Sequence, residues 1–259
     1  IVPTEKAKEL FKDKYKVKRD VYVIPSGIDT TRFYKENIDK NEIINLKKDL
    51  GLKKTDFIVL YVGRIAKEKS IDFLINNFNS VLKQIPKAKM IIVGDGPDIK
   101  DLIDLAKKEG LENKIIFAGK APWTDVPKYY SLCDVFVTAS KTETQGLTVM
   151  EAMGASKPVV AIRDESFELM ITDKKDGLFF DDEKSYVDMI YEVYKNKKLR
   201  DEISFNARLT ADKYSPYNYA KNVLKVYEKV ISKDTNVVKK VVHNVKNIFT
   251  KSGGKKWKN

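Results

Sequence analysis

An α/β fold built on a doubly wound parallel sheet is what this 259-residue chain predicts, on three observations. Short apolar runs rich in Val, Ile and Phe recur between Phe57 and Phe180, each continuous rather than alternating. Unbroken apolarity belongs to strands buried on both faces, the state of a parallel sheet covered by helices. Longer amphipathic stretches separate the runs, as crossover helices must. Glycines flank several runs and mark turns where strand hands over to helix.

The elements follow in order. "VYVIPSGIDTTRF" (21–33) reads as a strand ending in a Pro-Ser-Gly turn, where Gly27 can take positive φ, and "NEIINLKKDLGL" (41–52) as a helix. "FIVLYVG" (57–63) opens the main sheet and leads into a helix over 70–84. "KMIIVG" (89–94) is followed by a helix over 98–109, and "KIIFAG" (114–119) by a short one over 124–132. "DVFVTAS" (134–140) precedes a helix opening near Gly146; "PVVAI" (158–162) and "GLFF" (177–180) complete the sheet. Helices then fill 183–196, 198–213 and 217–232.

Composition narrows the function classes. One cysteine, Cys133, permits no internal disulfide framework or thiolate metal site, and fits a reducing cytosolic compartment. One histidine, His243, sits among tail lysines, which gives zinc and Ser-His-Asp chemistry little support. G-x-S-x-G is absent, so a serine hydrolase is not indicated. No apolar run is long enough to span a bilayer. The net charge of +12 is concentrated in residues 1–20 and in 236–259, which holds seven lysines and no acid. A nucleic-acid binder would instead interleave basic and aromatic residues across one folded face, so no nucleic-acid partner is expected.

A doubly wound sheet binds ligands beyond the carboxyl ends of its strands. Gly63 ends the first strand and Arg64, Lys67 and Lys69 follow; Arg64 and Lys69, five apart, can put two cations around an anion. "VGDGP" (93–97) gives the second strand a tight glycine turn but lacks the third glycine of a dinucleotide fingerprint. In "SKTETQGLTVMEAMGASKPVV" (140–160) a loop carrying Glu143 enters a helix at Gly146. Backbone N–H groups of Gly146, Leu147 and Thr148 would point out of the helix start and favour phosphate oxygens. Glu151, about a turn and a half further in, can accept hydrogen bonds from a sugar diol such as ribose.

The E-x7-E spacing of Glu143 and Glu151, with "PSGID", "VGR…K" and "VGDGP" upstream, resembles the C-terminal, donor-binding half of a GT-B glycosyltransferase of family 4. The resemblance covers about residues 20–232. It implies a Rossmann-like domain for 21–232, with 1–20 a remnant of an N-terminal acceptor domain and linker, most of which is missing. It implies that Arg64 and Lys69 neutralise the donor's diphosphate and that Glu143 stands near the transferred sugar; these three are the candidate catalytic residues. Glu151 would hold the ribose. Gly63, Gly94, Gly96, Gln145, Gly146, Leu147 and Thr148 would line the donor, with Phe117 to Lys120 framing the base. Family members retain anomeric configuration and usually need no metal or other cofactor. Their other catalytic contacts come from the acceptor domain, which implies that this chain binds donor but transfers little or nothing.

The wording "SKTETQGLT" resembles members that glucosylate 1,2-diacylglycerol, implying UDP-glucose as donor and a membrane lipid as acceptor. Other glycan acceptors, and a non-catalytic nucleotide-sugar or membrane-binding module, remain alternatives. Independently, Val237, Val238, Val241, Val242, Val245, Ile248 and Phe249 fall within an arc of roughly 140° at 100° per residue, with lysines opposite. Such a basic amphipathic helix over 236–259 suits an anionic membrane surface, or packs its valines on the missing domain. The expected location is cytoplasmic, peripheral at the inner face of the cell membrane.

Overall fold

The protein is described by a computed structural model over residues 1–232; the helix expected over 236–259 lies outside the described residues. β1 (Phe57–Val62) is buried along its whole length, as its unbroken apolar run requires. It is joined by β2 (Ala88–Val93), β3 (Ile115–Gly119), β4 (Val135–Thr138), β5 (Val159–Ile162) and β6 (Leu178–Phe180). Together they form one six-stranded sheet in the order β3-β2-β1-β4-β5-β6, every pair parallel. β1 pairs with β2 from Phe57↔Ala88 to Val62↔Val93, and with β4 through Val59↔Val135. Strand order therefore reverses between β1 and β4. Chains leaving those two strands diverge, and the crevice between them is the natural ligand site of this topology.

Eleven α-helices occur among the described residues. The first two are α1 (Glu5–Glu9) and α2 (Lys40–Asp49). The expected helix over 70–84 is two helices, α3 (Ile71–Asn76) and α4 (Phe78–Gln84). Asn77 divides them, and its side-chain amide donates to the carbonyl of Phe73, competing with the helical ladder. α5 (Ile99–Lys108), α6 (Val126–Leu132) and α7 (Leu147–Gly154) follow β2, β3 and β4. α8 (Glu165–Glu168) is a short turn not anticipated from the sequence; Asp164 caps it by accepting from Ser166 N. α9 (Glu183–Lys195), α10 (Lys197–Ala211) and α11 (Pro216–Ser232) close the fold within two residues of the expected bounds.

Val59, Leu60, Ile91, Phe136 and Val160 have no exposed surface and form the centre of the core. Truncating such a side chain costs about 2–5 kcal/mol, so the sheet is a rigid platform for the loops at its ends. No helix among the described residues is long and apolar enough to cross a membrane.

The reading of 21–33 needs correction. Only Val23 pairs there, in an isolated parallel bridge with Val2; Val2 N donates to Tyr22 O and Ile24 N to Val2 O, each at 2.9 Å. No further strand extends that bridge, and Thr30–Phe33 coils into a 3-10 turn capped by Asp29. Gly27 does not take positive φ. Glycine is required there because an added Cβ would fall 2.8 Å from Tyr219 Cβ and 3.0 Å from Pro216 Cα.

Candidate functional site

A cavity of about 460 Å³ opens where β1 and β4 end. Its walls include Tyr61, Gly63, Arg64, Lys69, Thr138, Glu143 and the start of α7 from Gly146 to Thr148. The α7 start is built around Gly146, whose φ of +68° is a left-handed conformation. A Cβ there would also stand 2.6 Å from Phe167 Cε1, so sterics demand glycine twice over. Among the described residues no acceptor takes the N–H groups of Gly146, Leu147 or Thr148. They form a partly positive mouth facing the cavity.

The cations sit opposite. Lys69 Nζ meets Glu143 Oε1 at 2.5 Å, with the two side chains only 16% and 21% exposed. Arg64 is 63% exposed and pairs with Glu68 one helical turn on. Both cations expected to meet a diphosphate are thus paired with carboxylates. Tyr61 lies beneath them: its hydroxyl donates to the Arg64 carbonyl at 3.1 Å. Burial, and secondarily the Glu143 carboxylate, push the Tyr61 hydroxyl far above its ordinary pKa, so it stays protonated.

The Glu143 loop is held from both sides. Ser166 Oγ donates to the Glu143 carbonyl at 2.6 Å, and Thr142 Oγ1 donates to the Glu68 carbonyl at 3.2 Å. A second cavity, of about 630 Å³, lies between this loop and α1; Thr142, Glu143 and Thr144 border both cavities.

Gln145 also borders the first cavity. The Gln145 side chain is buried at the cavity wall beside Ser26: it accepts from Ser26 N at 2.9 Å and donates to Ser26 O at 3.2 Å. A side-chain amide can mimic a peptide group, and here it ties the loop over 24–28 to the start of α7. Gly94 and Gly96 are glycines for a reason within the fold itself. Added Cβ atoms would fall 1.9 Å from Gly63 O and 2.0 Å from Ile65 O, so the loops after β1 and β2 touch backbone to backbone. Phe117 is half-buried on β3, paired with Ile92, and Lys120 is exposed just beyond it.

Glu151 is half-buried below the α7 mouth. The hydroxyl of Tyr130, itself without exposed surface, lies 2.9 Å from Glu151 Oε2 and 3.1 Å from the Thr148 carbonyl. Burial raises the Glu151 carboxyl above its usual range, opposed by the Tyr130 hydrogen bond and the Arg32 charge. Neither Glu151 nor Gly94, Gly96, Phe117 or Lys120 borders the 460 Å³ cavity.

Sequence reasoning missed Ser26, Tyr61, Thr138, Tyr130 and Ser166. Tyr61 and Thr138 read as sheet core, and Tyr130 as the apolar face of a helix. No local pattern announces a hydroxyl whose partner is 21 residues away, as with Tyr130 and Glu151.

Known proteins agree with this architecture. The family model described as glycosyl transferases group 1 matches residues 42–210. The alpha-monoglucosyldiacylglycerol synthase of Acholeplasma laidlawii is 36% identical over 245 residues, covering 93% of this chain and 60% of the relative. The synthase of the same name from Streptococcus pneumoniae is 30% identical over 254 residues, covering 95% of this chain and 57% of the relative. The chain thus spans about 60% of the length of these curated relatives. In fold, the crystal structure of Anabaena Alr3699/HepE in complex with UDP superposes with a TM-score of 0.78 at 20% identity, covering 88% of this chain and 63% of that one. With a matching family model over most of its length and a sheet, crevice and helix mouth in the expected places, the chain belongs to the glycosyl transferases group 1 family.

Proposed function

We propose that this chain binds a nucleoside-diphosphate sugar, UDP-glucose, as the donor half of a retaining glycosyltransferase that glucosylates a diacylglycerol-type lipid. The observation that carries the reading is the juxtaposition of unpaired α7 amides with Lys69 and Arg64 across one cavity. A diphosphate satisfies both sides, and negative charge developing on the departing nucleoside diphosphate is stabilised there without a metal. In this reading Glu143 contacts the transferred sugar and supports its oxocarbenium-like centre, and Glu151 holds the ribose. Gly94, Gly96 and the Phe117–Lys120 strand end shape the base end. Thr142 to Thr144 separate donor from acceptor, with the lipid hydroxyl arriving through the 630 Å³ cavity beside α1.

The choice of donor and acceptor draws support from the two relatives named for a glucosyl lipid product. Residues 1–20 belong, in this reading, to the edge of an acceptor domain, and 236–259 to a basic segment that holds the enzyme peripherally on an anionic membrane at its cytoplasmic face. Calorimetric titration with UDP, UDP-glucose, GDP and GDP-mannose, each with and without Mg²⁺, tests the donor. Saturable binding of the uridine pair, independent of Mg²⁺, is expected; no binding by any of the four overturns the reading. Co-sedimentation with anionic vesicles tests the tail: deleting 236–259 is expected to abolish it, and unchanged binding refutes that part.

A further inference from the structure

The Lys69–Glu143 pair has a consequence for which ligand the cavity prefers. A diphosphate oxygen at Lys69 shares the ammonium with Glu143 and brings a second negative charge beside it, which weakens the 2.5 Å contact. Both side chains are more than three-quarters removed from solvent, so a carboxylate left behind is poorly rehydrated. Among the described residues no cation other than Lys69 is in contact with the Glu143 carboxylate, though Lys6, Lys14 and Lys141 border the second cavity with it. Arg64 is engaged by Glu68, and the hydrogen bond from Ser166 goes to the Glu143 backbone carbonyl, not to its carboxylate. The Tyr61 hydroxyl is committed to the Arg64 carbonyl.

We propose that the Lys69–Glu143 ion pair is a specificity device: it penalises a bare nucleoside diphosphate and favours one that still carries its sugar. This rests on the donor reading above and deepens it. When UDP enters alone, Lys69 turns to the phosphate and Glu143 loses its partner. When UDP-glucose enters, sugar hydroxyls donate to the freed carboxylate and replace the lost contact. The same pair thus weakens retention of the nucleoside diphosphate once the sugar has left. The Ser166 and Thr142 contacts matter here because they prevent the loop from swinging Glu143 out to water.

Glu143→Gln is the direct test, read by calorimetry with UDP and UDP-glucose. The amide leaves Lys69 free for phosphate and accepts sugar hydrogen bonds less strongly. UDP is expected to bind about tenfold tighter, and UDP-glucose about tenfold weaker, than in the unaltered chain. Both ligands changing by the same factor, or neither changing, overturns the proposal. Glu143→Asp keeps a charge facing Lys69, which guards against misfolding; it should shift the ratio of the two affinities the same way by less, and an unchanged ratio counts against the proposal. Simple charge repulsion is separated by repeating Glu143→Gln in a Lys69→Met background. There the tightening of UDP should vanish; the same tightening without Lys69 overturns the ion-pair account. If the unaltered chain binds neither UDP nor UDP-glucose, the donor reading itself fails and this inference falls with it.

Discussion

Glu143 and Glu151 stand eight positions apart in one motif, yet the fold gives them opposite environments. Glu143 borders a cavity and is matched by a lysine 74 residues upstream. Glu151 sits deeper, against a buried tyrosine hydroxyl, with no cation in contact among the described residues; Arg32 acts on it through its field. One carboxylate is paired with a cation that a ligand can compete for. The other carries a burial penalty that a neutral hydroxyl only partly offsets. Residue type and spacing therefore locate the motif, while the contacts made by residues distant in sequence decide what each acid can do.

The largest expected effect removes the scaffold both acids share. Gly146→Ala forces a side chain into a left-handed conformation and against Phe167, and strain and clash together should destabilise the chain by about 2–6 kcal/mol. Thermal unfolding reads the loss, and UDP binding should fall with it. An unchanged midpoint would mean that the α7 mouth adapts, and the contrast between the acids would lose its common frame.

Next comes Lys69→Met, which breaks the Glu143 side alone. Loss of a partly buried phosphate contact is expected to weaken UDP by about 2–4 kcal/mol while leaving uridine nearly unaffected. Equal weakening of UDP and uridine in calorimetry would place Lys69 away from the phosphates.

Glu151→Gln sharpens the other side through pH. The Glu151 carboxyl is raised above its ordinary 4.5 in the folded state by burial, so between the two values the folded chain holds the extra proton. Stability then declines as pH rises through that window, and is greatest below it. The variant, which cannot titrate there, should lose that part of the decline, as urea unfolding from pH 4 upward would reveal. A parallel decline in both proteins contradicts the burial assigned to Glu151. The smallest effect belongs to Glu68→Gln: its partner Arg64 is exposed, and UDP affinity should change by no more than about 1 kcal/mol in calorimetry.

Most of the sheet was legible in the sequence. A strand covered on both faces must be apolar throughout, and all six runs from Phe57 to Phe180 became strands within two residues of their expected ends. The stretch 21–33 was misread because "VYVI" has strand composition but only residue 2 to pair with. Composition records what a segment could do, not whether a neighbouring edge is free. At the site, Arg64, Lys69, Glu143 and 146–148 do border one cavity. Gln145 borders it too, but its contact with Ser26, 119 residues away, leaves no local signal in the sequence. Gly94 and Gly96 are explained by backbone approach to the β1 loop, which a glycine-rich motif alone does not distinguish from approach to a ligand.

The most direct measurement is a crystal structure of this chain with UDP bound. The diphosphate should lie between Lys69 and Arg64 on one side and the amides of Gly146 to Thr148 on the other, with the ribose directed toward Glu151. Nucleotide density elsewhere on the surface, or a diphosphate in the cavity that touches neither Lys69 nor the α7 amides, would contradict the account.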